Sequence, residues 1–424
     1  MFDSAFNDGV KRPGTREMTA ILAGLMGLNS FAIDAMVPAL PAIGHSLHVV
    51  SENERQLVVV AYFLGFASTQ LLWGPLADRF GRKPVLAAGI MLYAAFGLLC
   101  ALAGSFPLLI ASRVGMGASA AVTRVLVVAM VRDLFEREAM AQVMSLVFMV
   151  FMLMPVLAPN IGLAILAFAP WQAIFGALTA YALVMLLWSW MRLPETLHPD
   201  YRRSLHLGDM AAAMWQTVRE PQSRGYTIAL TISFGGLVAY IASIQQIVFD
   251  AFHKPHLIGL VFAMIAAPMA AAAWGNSRVV GKFGLRRVGH TASAGFMLIS
   301  LVHVAVAVGG KETLAIFVLF QALSMCVFAF TSSNLGTLAM EHMAPIAGTA
   351  SSVQGLLANV GAALLGFVIG QEFNGTVVPY VIGTAACAAG GFIAVVLTEP
   401  RNLFARITKE PEEAALPTIP EEVV

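Results

Sequence analysis

The chain alternates long apolar runs with short polar turns along most of its length. Twelve apolar runs follow one another, and each has about 20 residues, enough to cross a hydrocarbon core of about 30 Å as a helix whose backbone satisfies its own hydrogen bonds. The pattern predicts an all-α membrane protein with twelve transmembrane helices. The runs cover approximately residues 19–43, 55–77, 84–104, 107–131, 141–163, 171–191, 225–249, 257–280, 288–308, 314–338, 347–370 and 377–397.

The longest polar stretch divides the runs into two groups of six. It is rich in proline and charge, and its middle, Leu207 to Val218, has the pattern of an amphipathic surface helix, although a solvated connection explains it equally well. We therefore predict two six-helix bundles joined by a cytoplasmic linker, preceded by a cytoplasmic segment and followed by an acidic, disordered tail. In chain order these are residues 1–18, 19–191, 192–224, 225–400 and 401–424.

The two groups of runs carry traces of an internal repeat. The sequence DRFGRK at 78–83 lies between the second and third runs, and GKFGLR at 281–286 lies between the eighth and ninth. The first group ends on LPET at 193–196, and the second on LTEP at 397–400. Such a repeat predicts that the two bundles are related by pseudo-symmetry.

The composition agrees with a membrane as solvent. Hydrophobic residues make up 58% of the 424 and charged residues only 12%, which leaves too little polar surface for a soluble domain of this size. A net charge of +1 gives no argument for a nucleic-acid partner. Cys100, Cys326 and Cys387 each lie inside an apolar run, so we interpret them as core residues and not as a disulfide framework or a metal site.

The distribution of Lys and Arg over the loops predicts the orientation, since cytoplasmic loops carry the excess of these residues. With the N-terminus inside, only Arg55, Lys254 and Lys311 fall outside. We expect a multi-pass protein of a bacterial-type inner membrane with both termini in the cytoplasm. The polar start shows no cleavage pattern, so the first run is expected to act as an uncleaved insertion signal.

One acid lies where an acid is costly. Of 24 Asp and Glu residues, Asp34 alone lies well inside an apolar run, where an ionisable group costs about 2.5–3.5 kcal/mol on insertion scales. We favour proton carriage over a structural ion pair for Asp34. Arg113 in the fourth run lies at a similar depth and is expected to share this proton-coupling site. Arg124, eleven residues later, projects from nearly the same helix face, because eleven residues make about three turns.

Candidates for a bend and for a cavity wall lie elsewhere in the runs. Pro155 and Pro159 in the fifth run each remove a helical hydrogen bond, so the helix is expected to bend, and Gly162 permits close packing there. Several polar or aromatic residues are candidates for a substrate cavity, although interhelical hydrogen bonds or ordinary packing explain each second-half member as well. They are Arg124, Tyr240, Gln245, Phe330, Ser333 and Asn334.

The turn after the second run, GPLADRFGRK at 74–83, resembles the GxLaDrxGRk signature of the major facilitator superfamily. The match includes Gly74, Asp78, Arg79, Gly81 and Arg82. The resemblance implies a conformational latch in which Asp78 faces the start of the eleventh helix and Arg82 pairs with an acid ending the fourth, here Asp133. A basic turn that only fixes orientation would explain the bases but not Asp78.

Three further motifs are similar to the Bcr/CflA branch of drug:proton antiporters. They are DAMVPALPAI at 34–43, RVGMGA at 113–118 and PVLAPNIG at 155–162. Met116 and Asn160 depart from the pattern of the branch, where Gln and an apolar residue are usual. The resemblance implies the major facilitator fold, alternating access and proton-coupled efflux of small amphiphilic drugs or toxic compounds, hence antibiotic resistance.

Other function classes find less support. The sequence has no G-x-x-x-x-G-K-[ST], no H-E-x-x-H and no G-x-S-x-G, so we expect neither an ATP-driven pump nor an enzyme. A proton-coupled transporter of one metabolite, such as an amino acid, sugar or organic acid, and a non-transporting sensor on the same fold stay open. We expect a monomer whose partners are a small-molecule substrate, protons and the lipid bilayer, with no nucleic acid, no metal and no cofactor beyond the proton gradient.

Overall fold

The computed structural model describes residues 14–135, 137–197, 207–343, 346–401 and 403–404. Within these ranges the chain is helical and contains no β-strand. Most of the expected N-terminal segment, up to residue 13, lies outside the described residues. So does the expected disordered tail, apart from residues 401, 403 and 404.

The described chain forms fourteen α-helices. Twelve of them match the predicted runs, while α2 continues the first run and α8 lies in the linker. Their bounds are α1 Thr15–Asp34, α2 Leu40–Ser46, α3 Leu57–Phe80, α4 Arg82–Ala101, α5 Phe106–Leu134, α6 Arg137–Leu166, α7 Gln172–Arg192, α8 Leu207–Arg219, α9 Pro221–Gln246, α10 Ile258–Phe283, α11 Leu285–Val308, α12 Leu314–Ala339, α13 Ala347–Gln371 and α14 Val378–Thr398.

The length and composition of these helices confirm the predicted fold class. Among the described residues, eleven helical segments are long and apolar enough to cross a membrane, and α6 supplies a further apolar stretch at Leu153–Leu166. The first bundle comprises α1 to α7 and the second α9 to α14. Contacts between the bundles run chiefly from α3 to α13 and from α6 to α10.

The linker contains a helix, as one of the two interpretations of its sequence predicts. Helix α8 packs against α9 and α13. Helix α9 begins at Pro221, four residues before the expected boundary at 225. Proline suits the first helical position, because its missing N–H would have no helical partner there. The side chain of Glu220 caps the helix by accepting a hydrogen bond from the N–H of Ser223.

The first span is interrupted, which corrects the prediction of one helix from 19 to 43. Helix α1 ends at Asp34, a 3-10 turn covers Val37–Ala39, and α2 begins at Leu40. Pro38 has no N–H to donate to the carbonyl of Asp34, four residues earlier, so the α-helical ladder stops there. The chain therefore places Asp34 at a helix end inside the protein.

Glycines bring α3 and α5 into backbone contact. A Cβ atom on Gly117 of α5 would lie 2.1 Å from the carbonyl oxygen of Tyr62 in α3, and one on Gly65 of α3 would lie 2.0 Å from that of Val114. No side chain fits at either place. Gly117 of the RVGMGA motif thus fixes the position of Tyr62 relative to α5.

The two ends of the helix bundle differ in how the halves meet. We call "amide end" the end with the 3-10 turn Glu52–Gln56 and the C-termini of α9 and α13, and "basic end" the end with Gly81 and Gly284. Midway between them, Asn359 of α13 donates to Gln70 of α3 over 3.2 Å. In the described chain, side-chain hydrogen bonds between the bundles lie at this midpoint or towards the amide end. The structure is therefore closed at the amide end.

We predict that Gly117→Ala lowers the unfolding temperature of the purified protein in detergent, since an added methyl group forces α3 away from α5 and overpacking costs about 1–3 kcal/mol. Circular dichroism during heating measures the effect. Gly176→Ala in α7 is the matched control, because a Cβ there meets no atom within 4 Å. Equal unfolding temperatures for the two variants would contradict the close contact of α3 with α5.

Candidate functional site

A carboxyl group without a protein partner lies at the end of α1. Asp34 is only 4% exposed, and its side chain makes no hydrogen bond or ion pair with the residues that the structure describes. It is close enough to the hydroxyls of Tyr62 in the first bundle and Tyr240 in the second to act on both electrostatically. A buried acid of this kind, at the junction of two bundles, is typical of a group that binds and releases a proton.

Arg113 lies next to the end of α1 and is completely buried. Its Nε donates to the carbonyl of Val58 in α3 over 2.9 Å, and its Nη1 donates to that of Ala32 in α1 over 3.2 Å. The guanidinium also lies over the ring of Tyr62, 4.5 Å from its centroid. A cation at this place is favoured, because the C-terminus of α1 carries negative partial charge.

The structure therefore brings Arg113 and Asp34 to the same region without pairing them. Arg113 contacts α1 two residues before Asp34, as the depths in the two spans predict, but it binds the backbone carbonyl and not the carboxylate. No ion pair within 4.0 Å joins the two side chains, both of which are described. Their joint use of one proton stays a prediction.

Met116, which stands in the RVGMGA motif where Gln is usual, is the third partner of the guanidinium. Its sulfur lies 3.7 Å from Nη1 of Arg113. A thioether sulfur is a weak acceptor, so this contact adds little to the two carbonyl bonds of the guanidinium.

A set of hydrogen-bonded polar side chains next to the site was not predicted from the sequence. The hydroxyl of Tyr62 donates to Oδ1 of Asn29 over 2.7 Å, and Nδ2 of Asn29 donates to Oγ1 of Thr123 over 3.2 Å. These bonds tie α1, α3 and α5 together one to two turns from Asp34. The signal was present in the sequence, since Asn29 is an amide inside the first apolar run.

The PVLAPNIG motif at 155–162 packs against the break in the first span. A Cβ atom on Gly162 of α6 would lie 2.0 Å from the carbonyl oxygen of Ala35, the residue after Asp34. Pro155 and Pro159 lie inside α6, which is one helix over its whole length. The expected bend stays a prediction, whereas the glycine's role is visible as a backbone contact.

Asn160, the second departure from the motif, bridges the two bundles. Its Nδ2 donates to the carbonyl of Val156 over 2.8 Å and to that of Gly259 in α10 over 3.4 Å. An apolar residue at this position would make neither bond. Helix α6 therefore connects the surroundings of Asp34 with the second bundle.

The two arginines of α5 have different surroundings although they share a helix face. Arg113 lies in the closed half of the molecule and is buried, whereas Arg124, nearer the basic end, is exposed. The side chain of Arg124 is therefore accessible, whereas that of Arg113 is not.

The candidates in the second half fall into two groups. Nδ2 of Asn276 in α10 donates to Oγ of Ser333 over 3.1 Å, and Nδ2 of Asn334 donates to Oδ1 of Asn276 over 2.8 Å and to the carbonyl of Phe330 over 2.7 Å. These bonds join α10 to α12, so packing within the bundle accounts for these residues.

Tyr240 and Gln245 on α9 form the second group. Tyr240 is 4% exposed and Gln245 is fully buried. The hydroxyl of Tyr240 and both amide atoms of Gln245 have no hydrogen-bond partner among the described residues. Buried polar atoms of this kind are costly unless something else binds them, which makes these two residues candidates for substrate contacts; Oδ1 of Asn334 in α12 shares the property.

The latch residues form a cluster at the basic end. Arg82, 8% exposed, pairs with Asp78 over 2.7 Å and with Asp133 over 3.3 Å. Arg79 is exposed, and its guanidinium lies 5.1 Å from the ring centroid of Phe80. Gly74 makes an ordinary contact, since an added Cβ would lie 3.8 Å from Val125.

Glu195 is a further member of this cluster. Its carboxylate accepts hydrogen bonds from the N–H groups of Arg82 and Lys83 over 2.9 Å and 3.2 Å, at the N-terminus of α4. Gly81 has φ of 102°, a backbone conformation that favours glycine, and a Cβ there would displace the carboxylate of Glu195, 2.5 Å away. The LPET sequence was a signal for this residue, though not for its function.

The second bundle repeats the cluster with other atoms. Arg286 at the start of α11 pairs with Glu399 over 2.9 Å and with Glu341 over 2.7 Å. Glu399 takes the place that Glu195 has in the first bundle, as the LPET and LTEP sequences predict. Asp78 pairs with Arg82 and makes no hydrogen bond to α13 in the described chain, so the contact with the eleventh span that the latch implies is not formed in this structure.

Comparison with known proteins agrees with this architecture. The family model described as Major Facilitator Superfamily matches residues 22–366. The bicyclomycin resistance protein homolog of Haemophilus influenzae is 31% identical over 382 residues, which are 89% of this chain and 95% of that protein. The multidrug resistance protein MdtL of Klebsiella pneumoniae is 26% identical over 398 residues, 91% and 95% of the two chains. These relatives confirm the resemblance to the Bcr/CflA branch.

Two solved structures share the fold at low sequence identity. The human organic anion transporter MFSD10 has a TM-score of 0.61 at 18% identity and covers 91% of this chain and 99% of its own. A D-xylose-proton symporter has a TM-score of 0.70 at 14% identity, with 91% and 96% covered. Both comparisons concern the arrangement of helices alone.

We predict that Arg113→Lys lowers the free energy of unfolding by about 1–3 kcal/mol, because the single nitrogen of an ammonium cannot take the positions of both Nε and Nη1, and a buried carbonyl is left unpaired. Chemical unfolding in detergent, followed by tryptophan fluorescence, measures the loss. Arg132→Lys near the other end of α5 is the control and should change stability little, since that side chain is exposed. Equal losses would show that the carbonyl contacts of Arg113 do not matter.

We predict that Asp78→Asn increases the fraction of molecules open at the basic end, because the charge that is expected to meet α13 on closure is removed. Spin labels on the basic ends of α3 and α13 report the distance between the bundles. Glu54→Gln, an exposed acid at the opposite end, is the control. Unchanged distances together with normal transport would contradict a latch function for Asp78.

Proposed function

We propose that this chain, which belongs to the major facilitator superfamily, exports small amphiphilic compounds in exchange for protons. Membership makes the chain a multi-pass membrane transporter and not an enzyme. The observation that carries the finer proposal is Asp34, a buried acid without a protein partner at the broken end of α1. No cofactor beyond the proton gradient is needed for such a cycle.

We assign the basic end to the cytoplasm of a bacterial-type inner membrane. Supporting this orientation, the turns at that end contain Arg79, Arg82, Lys83, Arg286 and Arg287, and Lys and Arg accumulate on the cytoplasmic side of membrane proteins. Both termini are then cytoplasmic. The closed amide end faces outward, and the exposed Arg124 faces the compartment from which an exporter takes its substrate.

The contacts around Asp34 supply a route from protonation to movement. Its carboxyl group changes charge when it binds or releases a proton, and the next residue, Ala35, is in backbone contact with Gly162 of α6. Through Asn160, α6 is hydrogen-bonded to α10 of the second bundle. A change of charge or hydration at Asp34 therefore acts at the interface along which the bundles must rock.

Arg113 keeps a constant charge in this mechanism. Its guanidinium is held by two backbone carbonyls and the ring of Tyr62. It therefore positions the end of α1 near Asp34 without forming an ion pair with the Asp34 carboxylate. Proton and substrate are then proposed to compete for the carboxylate. Substrate arriving from the cytoplasm releases the proton there, and outward opening allows Asp34 to bind another.

The substrate class follows from the same surroundings. An acid without a partner favours cationic or neutral compounds, and Tyr240 and Gln245 offer buried polar atoms beside apolar surface. The drug-resistance names of the Haemophilus and Klebsiella relatives support a drug-like substrate. We propose that the transporter works as a monomer, with a small amphiphilic molecule and protons as its partners.

We predict that the chain in proteoliposomes accumulates a neutral antibiotic or dye against its gradient when a pH gradient is imposed, without ATP, and that Asp34→Asn abolishes this accumulation while leaving binding measurable. The asparagine keeps the shape of the side chain but cannot release a proton. Glu312→Gln is the control, since Glu312 is buried and paired with His303 away from the site. Accumulation by Asp34→Asn equal to that of the parent, or a requirement for sodium, would defeat the proposal.

A growth assay distinguishes drug export from transport of a single metabolite. A host that lacks its own efflux pumps is supplied with the chain or with Asp34→Asn and tested against antibiotics, dyes and metabolites. We expect protection against several unrelated amphiphiles with the parent chain only. Growth effects confined to one amino acid, sugar or organic acid would support the metabolite transporter instead.

A further inference from the structure

Four amide side chains join the two bundles at the amide end. Asn53 and Gln56 belong to the turn at the start of α3 in the first bundle, whereas Gln246 ends α9 and Gln371 ends α13 in the second. We call these four residues the amide clasp. Gln56 and Gln246 are each 1% exposed, so the clasp has a dry centre.

Asn53 has the largest number of partners in the clasp. Its Nδ2 donates to the carbonyls of Gln371 over 2.8 Å and Phe373 over 3.0 Å. Its Oδ1 accepts from Nε2 of Gln246 over 2.8 Å, and its backbone carbonyl accepts from Nε2 of Gln371 over 2.9 Å. One residue of the first bundle therefore makes four hydrogen bonds to the second.

Gln56 adds a second connection one turn further into the protein. Its Nε2 donates to the carbonyl of Gly370 over 3.0 Å and to Oε1 of Gln246. A Cβ atom on Gly370 would lie 1.6 Å from the amide oxygen of Gln56. The amide of Gln56 therefore fits against bare backbone, which is possible only because residue 370 is glycine.

The chemistry of the clasp differs from that of the basic end. Ion pairs such as Arg82 with Asp133 organise the basic end within each bundle, whereas the clasp joins the bundles through neutral groups that do not titrate. Titratable side chains do lie around the clasp, but within the described residues none of them makes a hydrogen bond to its four members. They are Glu52, Glu54, Arg55, Asp250, His253 and Glu372.

We propose that the amide clasp is the lock that holds the amide end closed while the basic end is open, and that its bonds must all break when the amide end opens. Each neutral hydrogen bond biases an equilibrium by only about two- to tenfold, so several together form a lock that is firm and still reversible. Because amides do not titrate, the lock itself does not respond to the pH on its side of the membrane. The inference rests on the proposed function only in assuming that the amide end opens in turn.

The first test measures the opening of the amide end directly. Spin labels are placed at Val50 in the first bundle and Lys311 in the second, both exposed at this end and outside the clasp, after replacement of the three native cysteines. Pulsed dipolar spectroscopy then gives the populations of closed and open molecules. No substrate or proton gradient is required.

Asn53→Ala is expected to raise the open-to-closed ratio by about tenfold or more, because the three hydrogen bonds of the Asn53 side chain to the second bundle are lost, while its backbone carbonyl still accepts from Gln371. Asn374→Ala is the matched control, since Asn374 lies at the same end but bonds only to Thr376 in its own loop. Gln246→Leu, which keeps the side-chain volume, should act like Asn53→Ala. Distance distributions equal to the parent in both Asn53→Ala and Gln246→Leu would overturn the proposal.

Gln246→Glu makes the clasp titratable. Because closure should then be recovered at low pH in the same variant, the test distinguishes loss of the clasp from misfolding. A carboxylate would face Oδ1 of Asn53, an acceptor, so the amide end should open near neutral pH and close again near pH 4, where the protonated carboxyl donates as the amide does. The parent chain, measured over the same range, reports any contribution of the surrounding acids and histidine. A Gln246→Glu variant that stays closed at both pH values would contradict the proposal.

The outcomes separate this inference from the proposed function. A clasp that opens as expected in a chain without pH-driven export would preserve the lock and reject proton-coupled efflux. Export driven by pH with no change of distance in the clasp variants would do the reverse.

Discussion

The physical constraint at the centre of this molecule is a buried carboxyl group, Asp34, that no cation among the described residues pairs with. Burial of an ionisable group inside a membrane protein is costly, and the chain adds to that cost by ending a helix at the same residue. Pro38 contributes to the break, since it has no N–H for the carbonyl of Asp34. Arg113 stabilises the broken end through backbone carbonyls and leaves the carboxyl group to other ligands.

Glycines give this site its rigid frame. Gly65 and Gly117 bring α3 onto α5, and Gly162 brings α6 onto the residue after Asp34. In a membrane, helix association lacks the hydrophobic driving force that acts in water. Close packing and interhelical hydrogen bonds hold the helices together instead. The Gly162 contact lies directly beside the end of α1, whereas the contacts of Gly65 and Gly117 fix α3 against α5.

The two ends of the bundle use different interactions for different tasks. Charged residues at the basic end organise each bundle, as in the clusters of Arg82 and Arg286. Neutral amides at the other end join the bundles, and neutral bonds form and break at little net cost when water replaces the partner. This division separates the interactions that hold a bundle together from those that must come apart during a transport cycle.

The sequence alone determined the solvent, the number of spans, the division into two bundles and the location of the proton-binding candidate, because hydropathy and rare intramembrane charges are local properties of the chain. The LPET and LTEP repeat even anticipated the equivalent places of Glu195 and Glu399. Only the tertiary structure showed that Arg113 binds the carbonyl of Ala32, that Asn160 bridges two bundles, and that Asn53 and Gln246 meet. Those contacts join helices that are far apart in the chain. In the sequence, an amide in an apolar run looks the same whether it bonds to its own helix, to a neighbouring helix or to the other bundle. Only the packing of the backbones decides which acceptor comes within reach.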